Sequence, residues 1–350
     1  MESERIRVRI CHETMRNFLT SRLLPLVAFA WSGMVAVCAP ATLPAAKGGY
    51  LFTTFKGEAT PMTEQIYFGL SQDGFHWDAL NNGNPVLVSD VGEKGVRDSY
   101  LLRAHDGKKY FLIATDLSNN LNRDWHRATH AGSKCIVVWE SDDLVKWSAP
   151  RLVKVAPDDA GCAWAPEAIY DEETKDYLIY WASTTGRDNF AKQRIWSAHT
   201  TDFKEFSKPE IYIEKSSTVY DADTIRAGEK YYRFIKDAQN NAITMEVADK
   251  LSGAWSDVPG FNLADTQHYE GPAAFQLTLP DAESEIGTWC LMLDHPGKGY
   301  DPFITTNLAS GKFTASRDMK FPFVFRHGSI LPLSNEEYQR IKSAFIVHEK

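Results

Sequence analysis

A short phrase recurs five times along the chain, and this recurrence constrains the fold more than any single residue does. Its fullest form is Ser141-Asp142-Asp143-Leu144-Val145-Lys146-Trp147-Ser148. The other copies are Gln72-Asp73-Gly74-Phe75-His76-Trp77, Thr201-Asp202-Phe203-Lys204-Glu205-Phe206, Asp249-Lys250-Leu251-Ser252-Gly253-Ala254-Trp255 and Asn307-Leu308-Ala309-Ser310-Gly311-Lys312-Phe313. Their closing aromatics lie 70, 59, 49 and 58 residues apart, the length of one four-stranded sheet with its turns, so the unit is a propeller blade. Five copies predict an all-β, five-bladed β-propeller. A residue demanded once per blade is a packing residue, so Trp77, Trp147, Phe206, Trp255 and Phe313 are expected between blades rather than around a ligand.

A second phrase keeps phase with the first and marks the start of each blade. It runs from a polar or acidic residue through a short apolar strand and a Gly or Asp turn into an aromatic-rich strand. Four copies are clear, beginning at Arg97-Asp98-Ser99-Tyr100, Trp164-Ala165-Pro166-Glu167, Tyr220-Asp221-Ala222-Asp223 and Tyr269-Glu270-Gly271-Pro272. Aromatic and β-branched runs bounded by such turns read as hairpins. Length alone allows two domains at about 150 residues each, but no Pro/Ser/Gly-rich linker or charge block interrupts residues 48–333. Residues 47–350 therefore read as a single propeller. Ser334 and Glu337, ahead of Tyr338 and Ile341, form a capping-box pattern that opens a short C-terminal helix.

Residues 1–46 bear on address rather than fold. Arg16 and Arg22 precede an apolar run that begins at Leu23 and continues to Cys38, and small residues follow at Ala39, Ala41, Ala45 and Ala46. That is the layout of a secretory signal peptide, with translation starting at Met15 and the mature chain at residues 40–47. It predicts a secreted or periplasmic protein with no membrane span after cleavage. The run is at the short limit for a spanning anchor, and lipid attachment at Cys38 is disfavoured by the bulk of Val37. Removing these residues takes away five Arg and three Glu and moves the formal charge from −8 to −10, which argues against nucleic acid as a partner. Cys135, Cys162 and Cys290 remain, too few for a disulfide framework.

In a propeller the first strand of each blade lines the axis, so residues at the ends of these strands converge although they are distant in sequence. Here those positions are acidic: Asp98, Glu167, Asp221 with Asp223, and Glu270. Carboxylates crowded into a desolvated funnel have their proton affinities driven apart. A pair tuned apart in this way meets the needs of glycosidic bond hydrolysis, one group donating a proton to the leaving oxygen and the other activating water.

At these phrases the chain resembles glycoside hydrolase family 43, five-bladed propellers acting on arabinofuranosides and xylosides, over essentially all of residues 48–333. The motifs that carry the resemblance are Arg97-Asp98, Trp164-Ala165-Pro166-Glu167, the Asp heading the third copy, Tyr269-Glu270-Gly271-Pro272 and Arg326-His327-Gly328-Ser329. The resemblance implies Asp98 as general base, Glu270 as general acid, and Asp221 as the carboxylate that orients the acid and raises its pKa. Asp223 is a rival for the last role, and Ser99 stands where the family usually has Pro. Glu167 is expected either to contact substrate hydroxyls or to tie blades together, and Trp164 either to floor the sugar site or to sit in the core. His327 falls beside the central channel as a structural or substrate-adjacent residue. The implied reaction is single-displacement hydrolysis with inversion, releasing a terminal furanose or pentose, foremost α-L-arabinofuranose, from a plant-type oligosaccharide or polysaccharide. β-Xylosidase and β-galactofuranosidase activities occur in the same family. No cofactor is required; a structural calcium is compatible with the resemblance, although no EF-hand-type loop demands one.

The insert at residues 117–134, rich in Asn, His and Arg, is expected to wall one side of the site and favour exo-action. Within it His126 and His130 have helical spacing, but Arg127 replaces the Glu of a zinc protease motif, so the segment reads as a surface loop. A non-catalytic carbohydrate-binding propeller is the alternative of another class, and the complete acidic set at Asp98, Asp221 and Glu270 argues against it. A retaining fructoside hydrolase would call for a Glu-Cys pair where Glu140 is followed by Ser141, and no basic phosphate pocket supports a phosphorylase.

Overall fold

The computed structural model describes residues 48–278 and 286–346; the signal-peptide, Met15 and Cys38 expectations lie outside them. Twenty strands of the described residues form five four-stranded antiparallel sheets. The first holds β1 (Gly49–Thr54), β2 (Tyr67–Ser71) and β3 (Asp78–Ala79). The second is β4 (Val96–Arg103), β5 (Tyr110–Asp116), β6 (Cys135–Ser141) and β7 (Arg151–Lys154). The third is β8 (Trp164–Asp171), β9 (Asp176–Ser183), β10 (Arg194–Thr200) and β11 (Glu210–Ile213). The fourth is β12 (Val219–Ala227), β13 (Lys230–Asp237), β14 (Ala242–Ala248) and β15 (Ser256–Asp257). The fifth is β16 (Glu270–Gln276), β17 (Trp289–His295), β18 (Gly299–Thr305) and β19 (Thr314–Ala315). A last strand, β20 (Ser329–Leu333), pairs antiparallel with β1 and completes the first sheet.

Strands β4, β8, β12, β16 and β20 touch one another in a closed ring and so line the axis of a five-bladed propeller. The inner strand of the first blade comes from the C-terminal end of the chain. This is why only four opening phrases precede their blades in sequence, while Arg326-His327-Gly328-Ser329 leads into the fifth inner strand.

The repeated phrase is the turn between the third and fourth strands of a blade. Ser141 Oγ accepts the amides of Asp143 and Leu144, and Asp143 Oδ1 those of Val145 and Lys146. Thr200 and Asp202 do the same for Asp202, Phe203, Lys204 and Glu205. Four of the five copies hold a left-handed residue, at Gly74 (φ 79°), Leu144 (63°), Phe203 (56°) and Gly311 (64°). Short polar side chains that bond their own backbone offset part of that cost.

Alternation along each strand sends successive side chains to opposite blade faces, and the apolar core accordingly divides into five clusters, one per seam. Leu112 and Ala114 of β5 join the seam with the first blade, whereas Phe111 and Ile113 join the seam with the third. The five closing aromatics fall one to each seam: Trp147, Phe206, Trp255, Phe313 and Trp77. They are packing residues, as their periodicity predicts.

One expectation is corrected. The segment around His126 and His130 is a short helix, α1 (Trp125–His130), rather than a loop, because Asp124 caps the Arg127 amide. The two imidazoles stack on each other with centroids 3.9 Å apart. A second helix, α2 (Asn335–Phe345), opens on a capping box between Ser334 and Glu337. Glu337 also receives Arg103 from β4 and the Tyr110 hydroxyl. Cys135, Cys162 and Cys290 are free thiols. Among the described residues no helix is long and apolar enough to cross a membrane.

Candidate active site

Four inner strands share one irregularity at their leading ends. Pairing with the next strand shifts register between Arg97 and Tyr100, Trp164 and Glu167, Tyr220 and Ala222, and Glu270 and Ala273. At each shift one residue is left-handed: Asp98 (φ 50°), Ala165 (46°), Asp221 (47°) and Gly271 (52°). Such bulges re-aim a side chain out of the sheet, and for non-glycine residues they carry strain that clusters at functional sites. Two of the four bulge residues are acidic, and in the fifth blade Glu270 directly precedes the bulge glycine. Aligned on the bulge, Glu167 and Asp223 occupy equivalent positions, two residues further along their strands.

His327, only 6% exposed, gathers Asp98, Asp221 and Glu270 into an upper set. Its Nδ1 is 3.4 Å from Asp98 Oδ1 and 3.7 Å from Asp221 Oδ2. Burial works against its charge, but Asp221 and Asp98 outweigh that and lift it to about 9, so the imidazole is cationic at neutral pH. The ring lies on Gly271, where a Cβ would fall 2.6 Å from it. This close approach, together with φ of 52°, explains the glycine of the Tyr-Glu-Gly-Pro motif.

The two key carboxyl groups sit in opposed environments. Burial pushes Asp98 up, yet the Arg97 guanidinium, His327 and the Thr115 hydroxyl together bring it down to about 2. Thr115 Oγ1 donates to Asp98 Oδ2 (3.0 Å) while accepting the Ala165 amide (2.7 Å). Glu270 is raised to about 7, first by burial and then by the charges of Asp221 and Asp294, with Arg326 and His327 opposing. Asp221 accepts the Gly271 amide at 3.0 Å and is itself raised, chiefly by burial. At pH 6 the constellation therefore holds one ionised carboxylate and one protonated carboxyl, a base and an acid in one funnel.

Three further residues organise this set. Asp294, fully buried, accepts both Arg326 Nε (2.8 Å) and the His327 amide (3.0 Å). Arg326 in turn reaches Glu270 Oε1 at 3.4 Å. Both Arg97 and Arg326 lie over the Phe55 ring, at 4.8 and 5.3 Å. Buried Lys236 holds the Tyr269 carbonyl beside Glu270. Arg326 lies inside a motif quoted for its His, and Asp294 ends an otherwise apolar run, Trp289-Cys290-Leu291-Met292-Leu293. An acid closing such a strand is the sequence signal for it.

Glu167 and Asp223 do not join the upper set. They hydrogen-bond to each other, Glu167 accepting also from Tyr180 (2.9 Å) and Asp223 from the Ala274 amide (2.6 Å). Burial and Asp223 push Glu167 well above the usual carboxyl range, and burial lifts Asp223 to about 7. Among the described residues no group of three or more His, Cys, Asp and Glu is arranged to hold a metal ion. Trp164 is half-buried, with its ring edge-to-face on Trp125. Ser99, in place of Pro, bonds Thr53 Oγ1 at 2.8 Å and ties β4 to the first blade.

A five-bladed propeller whose inner strands deliver oppositely tuned carboxyl groups to one end of its axis has the build of a propeller glycosidase. Residues 46–339 match the family described as a probable glycosyl hydrolase domain related to glycoside hydrolase family 43, and the chain belongs to that family. It is 30% identical over 216 residues to an α-L-arabinofuranosidase of Bifidobacterium longum subsp. longum, a stretch covering 55% of this chain and 20% of that protein. The chain thus spans about one fifth of that relative. A Bifidobacterium bifidum protein named for exo-β-1,3-galactanase activity superposes with a TM-score of 0.54 at 12% identity, over 82% of this chain and 94% of that one. A point mutant of the family-43 protein BlXynB from Bacillus licheniformis gives 0.50 at 16% identity, over 80% and 54%. These two likenesses concern the fold alone.

Proposed function

We propose that the chain is an inverting, exo-acting glycoside hydrolase that removes a terminal α-L-arabinofuranose from oligosaccharides or polysaccharides, exported by the segment at residues 1–46. The observation that carries the reading is the opposed tuning of Asp98, at about 2, and Glu270, at about 7, around one imidazolium. Asp98 accepts a proton from water as its oxygen bonds to the anomeric carbon. The bond from that carbon to the leaving oxygen breaks, and Glu270 supplies that oxygen with its proton. Solvent then takes the proton from Asp98 and restores one to Glu270. Asp221, rather than Asp223, is the modulator in this scheme, because it accepts the amide next to Glu270 while Asp223 faces Glu167. The choice of arabinofuranose rests on the sequence likeness to the Bifidobacterium longum enzyme.

The test is a panel of 4-nitrophenyl glycosides carrying α-L-arabinofuranose, β-D-xylose and β-D-galactofuranose. Preferential release from the arabinofuranoside is expected. Preference for either other sugar overturns the substrate, and release neither from these glycosides nor from α-1,5-arabinotriose overturns the exo-pentosidase reading.

A further inference from the structure

The insert at residues 117–134 carries two large apolar side chains into solvent: Leu121 is 57% exposed and Trp125 50%. Single exposed apolar residues are ordinary, but these two stand four residues apart on a segment held firmly in place. The Glu64 carboxylate accepts Ser118 Oγ and the amides of Asn119 and Asn120. Arg127 pairs with both oxygens of Glu93, at 2.6 and 2.9 Å. A pre-ordered backbone that holds an indole outward loses little entropy when something settles on it. The indole also adjoins the candidate site: it meets Trp164 edge-to-face, with centroids 6.1 Å apart and planes at 79°. Trp164 precedes Ala165, whose amide bonds the same Thr115 hydroxyl that supports Asp98.

We propose that Trp125, braced by Trp164, is the platform for a sugar unit neighbouring the one released, making a chain of at least two sugars the preferred substrate. This rests on the hydrolase reading and deepens it. The apolar C–H face of a sugar ring matches the face of an indole, while sugar hydroxyls remain in water. When a terminal sugar occupies the site beside Asp98, the next unit extends towards solvent, and Trp125 is the half-exposed ring linked to Asp98 through Trp164, Ala165 and Thr115.

The full chain is compared with Trp125→Ala and Trp125→Phe on α-1,5-arabinotriose and on methyl α-L-arabinofuranoside, which has no second ring. Trp125→Ala is expected to lower kcat/KM for the trisaccharide at least tenfold more than for the methyl glycoside, with Trp125→Phe in between. Equal effects on both substrates overturn the platform. A second measurement does not depend on hydrolysis: titration of Glu270→Gln with the trisaccharide should shift tryptophan fluorescence, and the shift should vanish in Glu270→Gln/Trp125→Ala. Binding with no Trp125-dependent shift, or no binding, overturns the platform. If the wild type cleaves nothing while the Trp125-dependent shift persists, the hydrolase reading fails and the platform stands.

Discussion

At Asp98 the upward push of burial is overcome by Arg97, His327 and Thr115, whereas at Glu270 burial and two like charges prevail over Arg326. Replacing either carboxyl by its amide keeps shape and removes function: Asp98→Asn and Glu270→Gln should each lower kcat by about a thousandfold or more, while melting temperatures stay near wild type. For kcat/KM, loss of the Glu270 proton should give a limb that falls about tenfold per pH unit above pH 7, absent in Glu270→Gln. Asp294→Asn should move that limb to lower pH by about half a unit or more. It removes a like charge and frees Arg326, while Asp221, Lys236, Tyr220, Arg326 and His327 still face Glu270. An unmoved limb would leave Asp294 a purely structural role. His327 has a raised pKa, about 9 against 6.5, so its contribution to stability is complete below pH 6.5 and lost as pH rises through 9. Chemical denaturation should show about 3 kcal/mol lost over that window, a component missing in His327→Gln.

The strand and the turn are the scale at which sequence was most legible, because their causes are local. Asp143 bonds amides two and three residues ahead, so the turn announces itself where it recurs, and a seam aromatic follows four residues after the Asp in three copies and six after the Asp or Asn in the other two. The inner-strand bulge was less legible: the same left-handed position holds Asp, Ala, Asp and Gly, and residue type alone does not reveal its phase. Once that phase is known, Glu167 and Asp223 fall at equivalent depth below the bulge. The Asp294–Arg326 tie joins residues 32 apart across a blade seam, which no local pattern encodes. Helix α1 was hidden because it is only six residues long and depends on the Asp124 cap. Gly271→Ala places a methyl group 2.6 Å from the His327 ring at φ 52°; it should cost about 2–4 kcal/mol and lower kcat by displacing His327. Trp77→Ala, which empties part of one seam, should cost about 3–5 kcal/mol with kcat nearly unchanged.

Across the whole molecule, five seams close into a ring only because β20 returns to pair with β1. The same return delivers Arg326 and His327 to the other blades' carboxyl groups, so closure of the ring and completion of the site are one event. Removal of residues 329–350 should abolish both cooperative unfolding and activity, as read by calorimetry and by sugar release. In the proposed reaction Asp98 activates a water molecule while Glu270 protonates the leaving oxygen in one displacement. The most direct measurement is proton NMR of the sugar at the moment of release, before mutarotation. Inverted anomeric configuration is the expected result; retained configuration would rule out the single displacement, since it demands a covalent intermediate on a carboxylate.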